Sequence, residues 1–163
     1  MTLRRTNWPD VDNLVALNAD AEVMRQVAGG LPMTPAQVLS DEMPQLMAYN
    51  RRVDQLGYWV AYDAADGAFL GWFAVSPVDG DARTVELSHR LRRSAWAQGY
   101  EIEGTQCMID FARAAGATTV VATTSAGPAD PGDLLEQAGL RPVGSTGARH
   151  EYRMDLEGVS ATG

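Results

Sequence analysis

The sequence predicts an α+β fold, in which helices cover a mixed sheet of strands. Two aromatic, strand-like runs flank Ala64-Ala65-Asp66-Gly67, and Asp-Gly at such a point is a strong hairpin signal. The segment Thr84–Leu91 alternates apolar and polar residues as a strand does, and apolar residues recur at helical spacing from Gly99 onward. The β-branched run Thr118–Thr124 is typical of a further, buried strand.

The N-terminal segment is expected to form a short strand followed by a helix. Thr2–Arg5 can be the strand, and Pro9 suits the first position of a helix. Apolar residues from Val11 then lie on one helical stripe to about Ala19. Ala21–Gln26 can add a short helical segment before a run of glycines and a proline.

A second helix is predicted to start at a capping box. Thr34 can cap it, Pro35 takes the first helical position, and Gln37 is placed to reach back to the cap. The helix is expected to run to about Val53. Pro44 should interrupt or kink it, because proline lacks the N–H that a helix interior uses.

The two strands of the predicted hairpin are Tyr58–Asp63 and Ala68–Val75. They carry aromatic residues, which pack well on a pleated surface, and most of these are expected in the core. Pro77–Asp81 is then expected to turn the chain into the alternating strand Thr84–Leu91.

The C-terminal part is predicted to hold one short helix and the last strands. After Thr118–Thr124 the expected order is a loop Ser125–Pro131, a helix Asp133–Ala138, and strands Arg141–Gly144 and His150–Leu156. Residues 157–163 are expected to be a frayed tail. Residues 1–156 are therefore expected to form one domain.

Charge and composition limit the possible partners. The chain has 163 residues, and its 13 basic side chains, all Arg, against 21 acidic ones give a net charge of −8. This balance argues against nucleic acid and anionic membranes and favours a cationic substrate. Two His and one Cys make a metal site unexpected, and Cys107 is expected to be a buried thiol in a reducing compartment. With no apolar run of about 20 residues, the protein is expected to be cytoplasmic.

The junction between the strand Thr84–Leu91 and the following helix is suited to an anion. The first turn of a helix presents N–H groups without intrahelical partners at the positive end of the helix dipole. Gly99 has no side chain to keep an anion away, and Arg92 and Arg93 add positive charge. The alternative is that many strand-to-helix junctions contain Gly and Arg and bind nothing.

The run L-R-R-S-A-W-A-Q-G-Y-E-I-E-G, Leu91 to Gly104, resembles the acyl-CoA-binding segment of the GNAT N-acetyltransferases, particularly the branch that modifies ribosomal-protein N-termini. Three further segments resemble that family: Asp20–Arg25, Phe69–Phe73 and Leu135–Leu140. The resemblance implies a mixed, mostly antiparallel twisted sheet of six to seven strands with helices on both faces. It also implies that the two N-terminal helices flank an acceptor pocket.

The activity that the resemblance implies is transfer of an acetyl group from acetyl-CoA to a primary amine, on a small molecule or a peptide N-terminus. The pantetheine arm would pair with the backbone of Arg90, Leu91 and Arg92. The pyrophosphate would lie on the amides of Ala97, Gln98, Gly99 and Tyr100. The motif does not specify the acceptor, and aromatic strands near a sheet edge could allow a homodimer.

Acetyl transfer to an amine requires a base, since an alkylammonium has a pKa of about 10. Glu86 is the first candidate, because many family members carry a glutamate at that place on the fourth strand. His89 is the second, with an imidazole that titrates near neutrality, but strand alternation puts it on the opposite face. The alternatives are a solvated Glu86 paired with an Arg and a packed His89. Tyr152 could protonate the leaving thiolate, or pack; His150 and Glu151 are lesser candidates.

The acyl-CoA-binding motif is divergent in three places. Glu101 stands where the family usually has Gly or Ala, and its carboxylate is expected to compete with a pyrophosphate. Pro128 and Pro131 stand where the family usually has an Asn and a Ser, and Leu135 where many members have a Tyr. The alternative function is therefore a catalytically silent domain of the same fold that binds a ligand or a partner.

Overall fold

The computed structural model describes residues 1–27, 30–51, 56–125 and 131–156 of the chain. Within these residues seven strands form one sheet: β1 (Thr2–Arg5), β2 (Gly57–Tyr62), β3 (Phe69–Val78), β4 (Asp81–Leu91), β5 (Thr119–Ser125), β6 (Arg141–Thr146) and β7 (Arg149–Asp155). Their order across the sheet is β1-β2-β3-β4-β5-β7-β6. Only β4 and β5 pair in parallel, and all other neighbours are antiparallel. The prediction of a mixed, mostly antiparallel sheet is confirmed.

Helices cover both faces of this sheet. They are α1 (Val11–Ala19), α2 (Ala21–Met24), α3 (Pro35–Gln37), α4 (Met43–Asn50), α5 (Tyr100–Ala114) and α6 (Gly132–Gln137). On one face, buried residues of α1, α2 and α4 pack against Val60, Trp72 and Ala74. On the other face, residues of α5 and α6 pack against Phe73 and Val85, among others. The successive residues Trp72 and Phe73 thus pack into the cores on opposite faces of the sheet, as strand geometry requires.

The capping box predicted before α3 is present. The hydroxyl of Thr34 accepts a hydrogen bond from the backbone N–H of Gln37 at 3.3 Å. The side-chain oxygen of Gln37 accepts one from the backbone N–H of Thr34 at 2.8 Å. Both donors would otherwise lack an intrahelical partner, so the pair determines where the helix begins.

The predicted interruption at Pro44 takes the form of a wider, π-type turn. This turn spans Val38–Glu42, between α3 and α4, and the N–H of Met43 donates to the carbonyl of Val38, five residues back. Proline has no N–H to donate, and its ring clashes with the carbonyl four residues before it, so a widened turn relieves the strain. The helix ends at Asn50, and the predicted end at Val53 lies outside the described residues.

The turn between β3 and β4 is tighter than predicted. Pro77 was expected to begin it, but Pro77 lies in β3 and pairs with Val85, next to a register shift. A strand tolerates proline at such an irregularity, where a ladder hydrogen bond is already missing. The reversal itself falls on Asp79 and Gly80, both with positive φ (50° and 80°).

Helix α5 approaches β3 very closely. A Cβ atom placed on Gly104 would lie 2.2 Å from two ring carbons of Phe73, which is 1% exposed. Only glycine therefore fits at this contact. This contact places the first turn of α5 beside the carboxyl end of β4. No helix of the described residues is long and apolar enough to cross a bilayer.

Candidate active site

The neighbouring strands β4 and β5, in the middle of the sheet, pair over only part of their length. Their parallel pairing covers Thr84–Leu87 with Thr119–Ala122 and goes no further. Both strands continue beyond it, β4 to Leu91 paired with β3, and β5 to Ser125 paired with β7. The facing edges of β4 and β5 beyond Leu87 are thus unpaired with one another. The gap between them is directed toward the turn that leads into α5.

No side chain of the described residues caps the first turn of α5. Gly99, the residue before the helix, has φ 85°, and Ala97 has φ 57°. A Cβ atom at Gly99 would meet nothing within 4 Å, so the space beside Gly99 where a side chain would stand is open. The side chain of Tyr100 is directed away, since its hydroxyl donates to Asp63 at 2.5 Å, and that of Gln98 donates to the carbonyl of Ser94.

The two arginines that were predicted to add positive charge at this turn donate hydrogen bonds to other residues of the chain. Arg93 donates from Nε to the carboxylate of Asp20 at 2.8 Å, and Arg92 donates from Nη1 to the carbonyl of Phe69 at 3.1 Å. These residues and Ser94 border a cavity of about 430 Å³ against α1. The positive charge of Arg93 is therefore paired with a carboxylate, whereas Arg92 donates to a neutral carbonyl.

Glu101 and His89 face each other beside the gap. Oε1 of Glu101 lies 3.7 Å from Nε2 of His89, and each side chain is about one quarter exposed (25% and 23%). The His89 ring also packs on Phe73, with ring centroids 5.6 Å apart. His89 therefore lies on the α5 face of β4, opposite Glu86, as strand alternation predicted. The carboxylate of Glu101 is directed at the sheet, beside the open amides.

Glu86 lies at the apex of the gap, on the other face of β4. It pairs with Val121, one position before the parallel ladder ends at Leu87. Its side chain is exposed, and no hydrogen bond or ion pair joins it to another described residue. The expected alternative of a Glu86–Arg pair is therefore not observed among these residues. Burial raises the pKa of Tyr58, the negative charges of Glu42 and Glu86 raise it further, and the positive charge of Arg90 opposes them.

A pocket of about 380 Å³ opens on this same face, between α4 and the sheet. Its floor is formed by Tyr58, Trp72 and Arg90, and its wall includes Tyr49, with Asp41 also on the lining. The ring centroids of Tyr58 and Trp72 are 5.3 Å apart, and those of Tyr49 and Tyr58 are 5.9 Å apart. Trp72 is 7% exposed and was correctly expected in the core, but it is also a pocket residue.

A largely buried ionic cluster, in which the Arg90 and Glu42 side chains are each 12% exposed, supports the floor of this pocket, and sequence reasoning missed it. Nη1 of Arg90 donates to Oε1 of Glu42 at 3.2 Å and to Oδ1 of Asn18, while the amide of Asn18 donates to Glu42. The Arg90 guanidinium also lies 5.1 Å from the centroid of the Trp72 ring. Burial raises the pKa of Glu42 and lowers that of Arg90. The one signal in the sequence was Pro44, since the π-type turn that it causes carries Glu42.

Tyr152 lies on the α5 side of the sheet, away from the pocket. It is 6% exposed, belongs to the core cluster beneath α5, and is opposite Ala122 in the β5–β7 pairing. Its predicted role as an acid stays a prediction. No group of three or more His, Cys, Asp or Glu among the described residues is placed to hold a metal ion.

Known proteins share this architecture. A family model described as an acetyltransferase (GNAT) domain matches residues 1–141 of the chain. The chain therefore belongs to the GNAT acetyltransferase family. No curated protein matches the sequence.

Three solved structures illustrate the shared fold. A GNAT-family acetyltransferase from Bacillus anthracis superposes with a TM-score of 0.78 at 15% identity, over 96% of this chain and 95% of that one. A ribosomal-protein-alanine N-acetyltransferase from Brucella melitensis gives 0.76 at 20% identity, over 96% and 100%. A spermidine N-acetyltransferase from Vibrio cholerae, in complex with CoA and spermine, gives 0.72 at 15% identity, over 93% and 92%.

Proposed function

We propose that the chain transfers the acetyl group of acetyl-CoA to a primary amine, on a small molecule or a peptide N-terminus. The observation that carries this proposal is the parting of β4 and β5 beyond Leu87 and Ala122, with Glu86 at its apex. The turn into α5 follows β4 on one side of the sheet, and the pocket beside Tyr58 lies on the opposite face. Family membership and the coenzyme and amine bound by the Vibrio cholerae relative support the same assignment.

The coenzyme would be held by main-chain groups. Acetyl-CoA supplies the acetyl group as a thioester, activated for attack by an amine. The backbone of Arg90, Leu91 and Arg92, which has no partner from β5, would hold the pantetheine arm. The amides of Ala97 to Tyr100 would hold the pyrophosphate, because they combine open space at Gly99 with the positive end of the α5 dipole.

The acceptor would occupy the pocket between α4 and the sheet. A pocket of about 380 Å³ lined by aromatic rings and by Asp41 suits a small ligand whose amine is positively charged before reaction. The net charge of −8 attracts such a cation from solution. The proposed acceptor amines include a peptide N-terminus, as in the ribosomal-protein branch of the family, and we include that branch in the proposal. We also propose that the protein is cytoplasmic and forms a homodimer.

Glu86 is the best-placed base. An alkylammonium must lose a proton before its nitrogen can attack a thioester. Glu86 lies on the pocket face at the apex of the gap and can take that proton directly or through a water molecule. His89 lies on the opposite face, with Nε2 3.7 Å from the carboxylate of Glu101, and is the second choice. Tyr152, also on that opposite face, would have to reach the leaving sulfur through the gap.

The alternative function is a silent domain of the same fold, and the carboxylate of Glu101 beside the open amides favours it. Calorimetric titration with acetyl-CoA separates the two proposals. The transferase is supported if acetyl-CoA binds with a Kd in the micromolar range. It is further supported if free coenzyme A thiol is released when an amine is added, such as spermine or a peptide with an N-terminal alanine. No heat at millimolar acetyl-CoA would leave only the silent domain.

A further inference from the structure

Thr124 of β5 carries a hydroxyl that makes no hydrogen bond within the part of the chain that the structure describes. The residue is 7% exposed, and its Oγ1 atom is buried without a hydrogen-bond partner among the described residues. Val120 and Ala122, which precede it on the same face of β5, belong to the apolar core beneath α5. A valine would have the same shape as this threonine and no polar atom to satisfy.

The position of Thr124 in the sheet suggests a source for the missing partner. The parallel register pairs Glu86 with Val121 and Leu87 with Ala122, so continued pairing would set Thr124 opposite His89. Pairing has stopped before that point, and the two residues instead border the gap on the α5 face. Since buried polar groups are almost always hydrogen-bonded in folded proteins, a group that enters this gap is the natural partner.

We infer that the hydroxyl of Thr124 hydrogen-bonds an amide of the pantetheine arm of acetyl-CoA, an inference that rests on the proposed function. The arm contains two secondary amides, each with one donor and one acceptor, and lies extended like a strand when it fills such a gap. A threonine hydroxyl can donate to a carbonyl or accept from an N–H, so it serves either amide. Thr124 would thus bind the arm from the β5 side, while the backbone of Arg90, Leu91 and Arg92 binds it from the β4 side.

The test compares Thr124→Val with Thr124→Ser in the full chain. Valine removes the hydroxyl and keeps the shape, whereas serine keeps the hydroxyl. We expect Thr124→Val to raise the Kd for coenzyme A about tenfold in calorimetric titrations, as loss of one buried hydrogen bond does, and Thr124→Ser to retain most of the affinity. Adenosine 3′,5′-bisphosphate, which lacks the pantetheine arm, should bind the wild type and Thr124→Val with equal Kd.

A second readout needs no ligand. Because the hydroxyl has no hydrogen-bond partner among the described residues, Thr124→Val should leave the melting temperature of the ligand-free chain unchanged or raise it. A lower melting temperature would show that the hydroxyl is bonded within the protein and would overturn the inference. So would equal coenzyme A affinity in the wild type and Thr124→Val, while leaving the proposed function intact. A wild type that binds no coenzyme A would overturn both.

Discussion

The carboxylate of Glu101 lies 3.7 Å from Nε2 of His89, which ties the first turn of α5 to the α5 face of β4. This contact sits beside the gap between β4 and β5 and beside the open space in front of Gly99. A diphosphate that enters this space meets a carboxylate already oriented toward the sheet. We therefore expect the affinity for coenzyme to depend on how far this carboxylate lies from the amides of the first turn.

Glu101→Ala should tighten the binding of coenzyme A. A charge interacts with the first turn of a helix by about 0.3–1 kcal/mol, so removal of the competing carboxylate should lower the Kd about two- to fivefold. Calorimetric titration measures it. Glu103→Ala is the matched control, since its carboxylate is also in the first turn but is paired with the N-terminal ammonium of Met1 at 2.7 Å. An unchanged Kd for Glu101→Ala would mean that His89 holds the carboxylate clear of the diphosphate.

Glu86→Gln should lower kcat by about 10²- to 10⁴-fold, the usual contribution of a general base. Glutamine keeps the size of the side chain but cannot take a proton. The Kd for acetyl-CoA should stay within a factor of two, because Glu86 lies on the face of β4 opposite α5 and its amides. Glu136→Gln, at an exposed position of α6, provides a charge-matched control. If Glu86→Gln retains the kcat of the wild type, Glu86 is not the base, and His89 becomes the candidate.

Asp10→Asn should destabilise the fold at neutral pH and much less in acid. Burial alone would raise the pKa of Asp10, but hydrogen bonds from Arg4, from the N–H of Asn7 and from Tyr62 outweigh it and hold the pKa below its usual value. A carboxyl whose pKa is lowered by folding contributes stability above its unfolded pKa of about 3.9, and that contribution is lost as the pH falls through the folded pKa.

Urea unfolding of wild type and Asp10→Asn at several pH values measures this effect. At pH 7 the variant should lose about 1–3 kcal/mol of unfolding free energy, since Asp10 is 1% exposed and its partners stay behind. The difference should shrink as the pH is lowered below about 4. Asp12→Asn, exposed in the first turn of α1, is the control and should show neither a large loss nor this pH dependence. A loss that is equal at pH 7 and pH 3 would contradict the assignment.

Gly104→Ala should destabilise the protein, although alanine favours helices over glycine by about 1 kcal/mol. The added methyl group would collide with the Phe73 ring at 2.2 Å, and overpacking of a core typically costs about 1–3 kcal/mol. Urea unfolding gives the net change. In the double variant Phe73→Leu/Gly104→Ala the smaller side chain should relieve the collision, so the two effects should not add. Simple additivity would show that α5 shifts without strain.

Local sequence patterns predicted much of the fold. The capping box at Thr34, the interruption at Pro44 and the two faces of β4 each depend on residues within a few positions of one another. Backbone geometry decides such features whatever the rest of the chain does: proline lacks an N–H everywhere, and successive strand residues always point to opposite faces. The amides at Gly99 were predicted as an anion site on this basis, whereas Glu86 became the candidate base through the resemblance to the GNAT family.

Only the tertiary structure decided which distant groups meet. The cluster of Asn18, Glu42 and Arg90 joins three elements far apart in the chain, and no periodicity relates them. The orientation of Glu101 toward His89 and the unused hydroxyl of Thr124 likewise depend on where β4 and β5 separate. Periodicity determines the face on which a side chain lies, whereas packing of whole elements determines its neighbours, and the chemistry of this site depends on those neighbours.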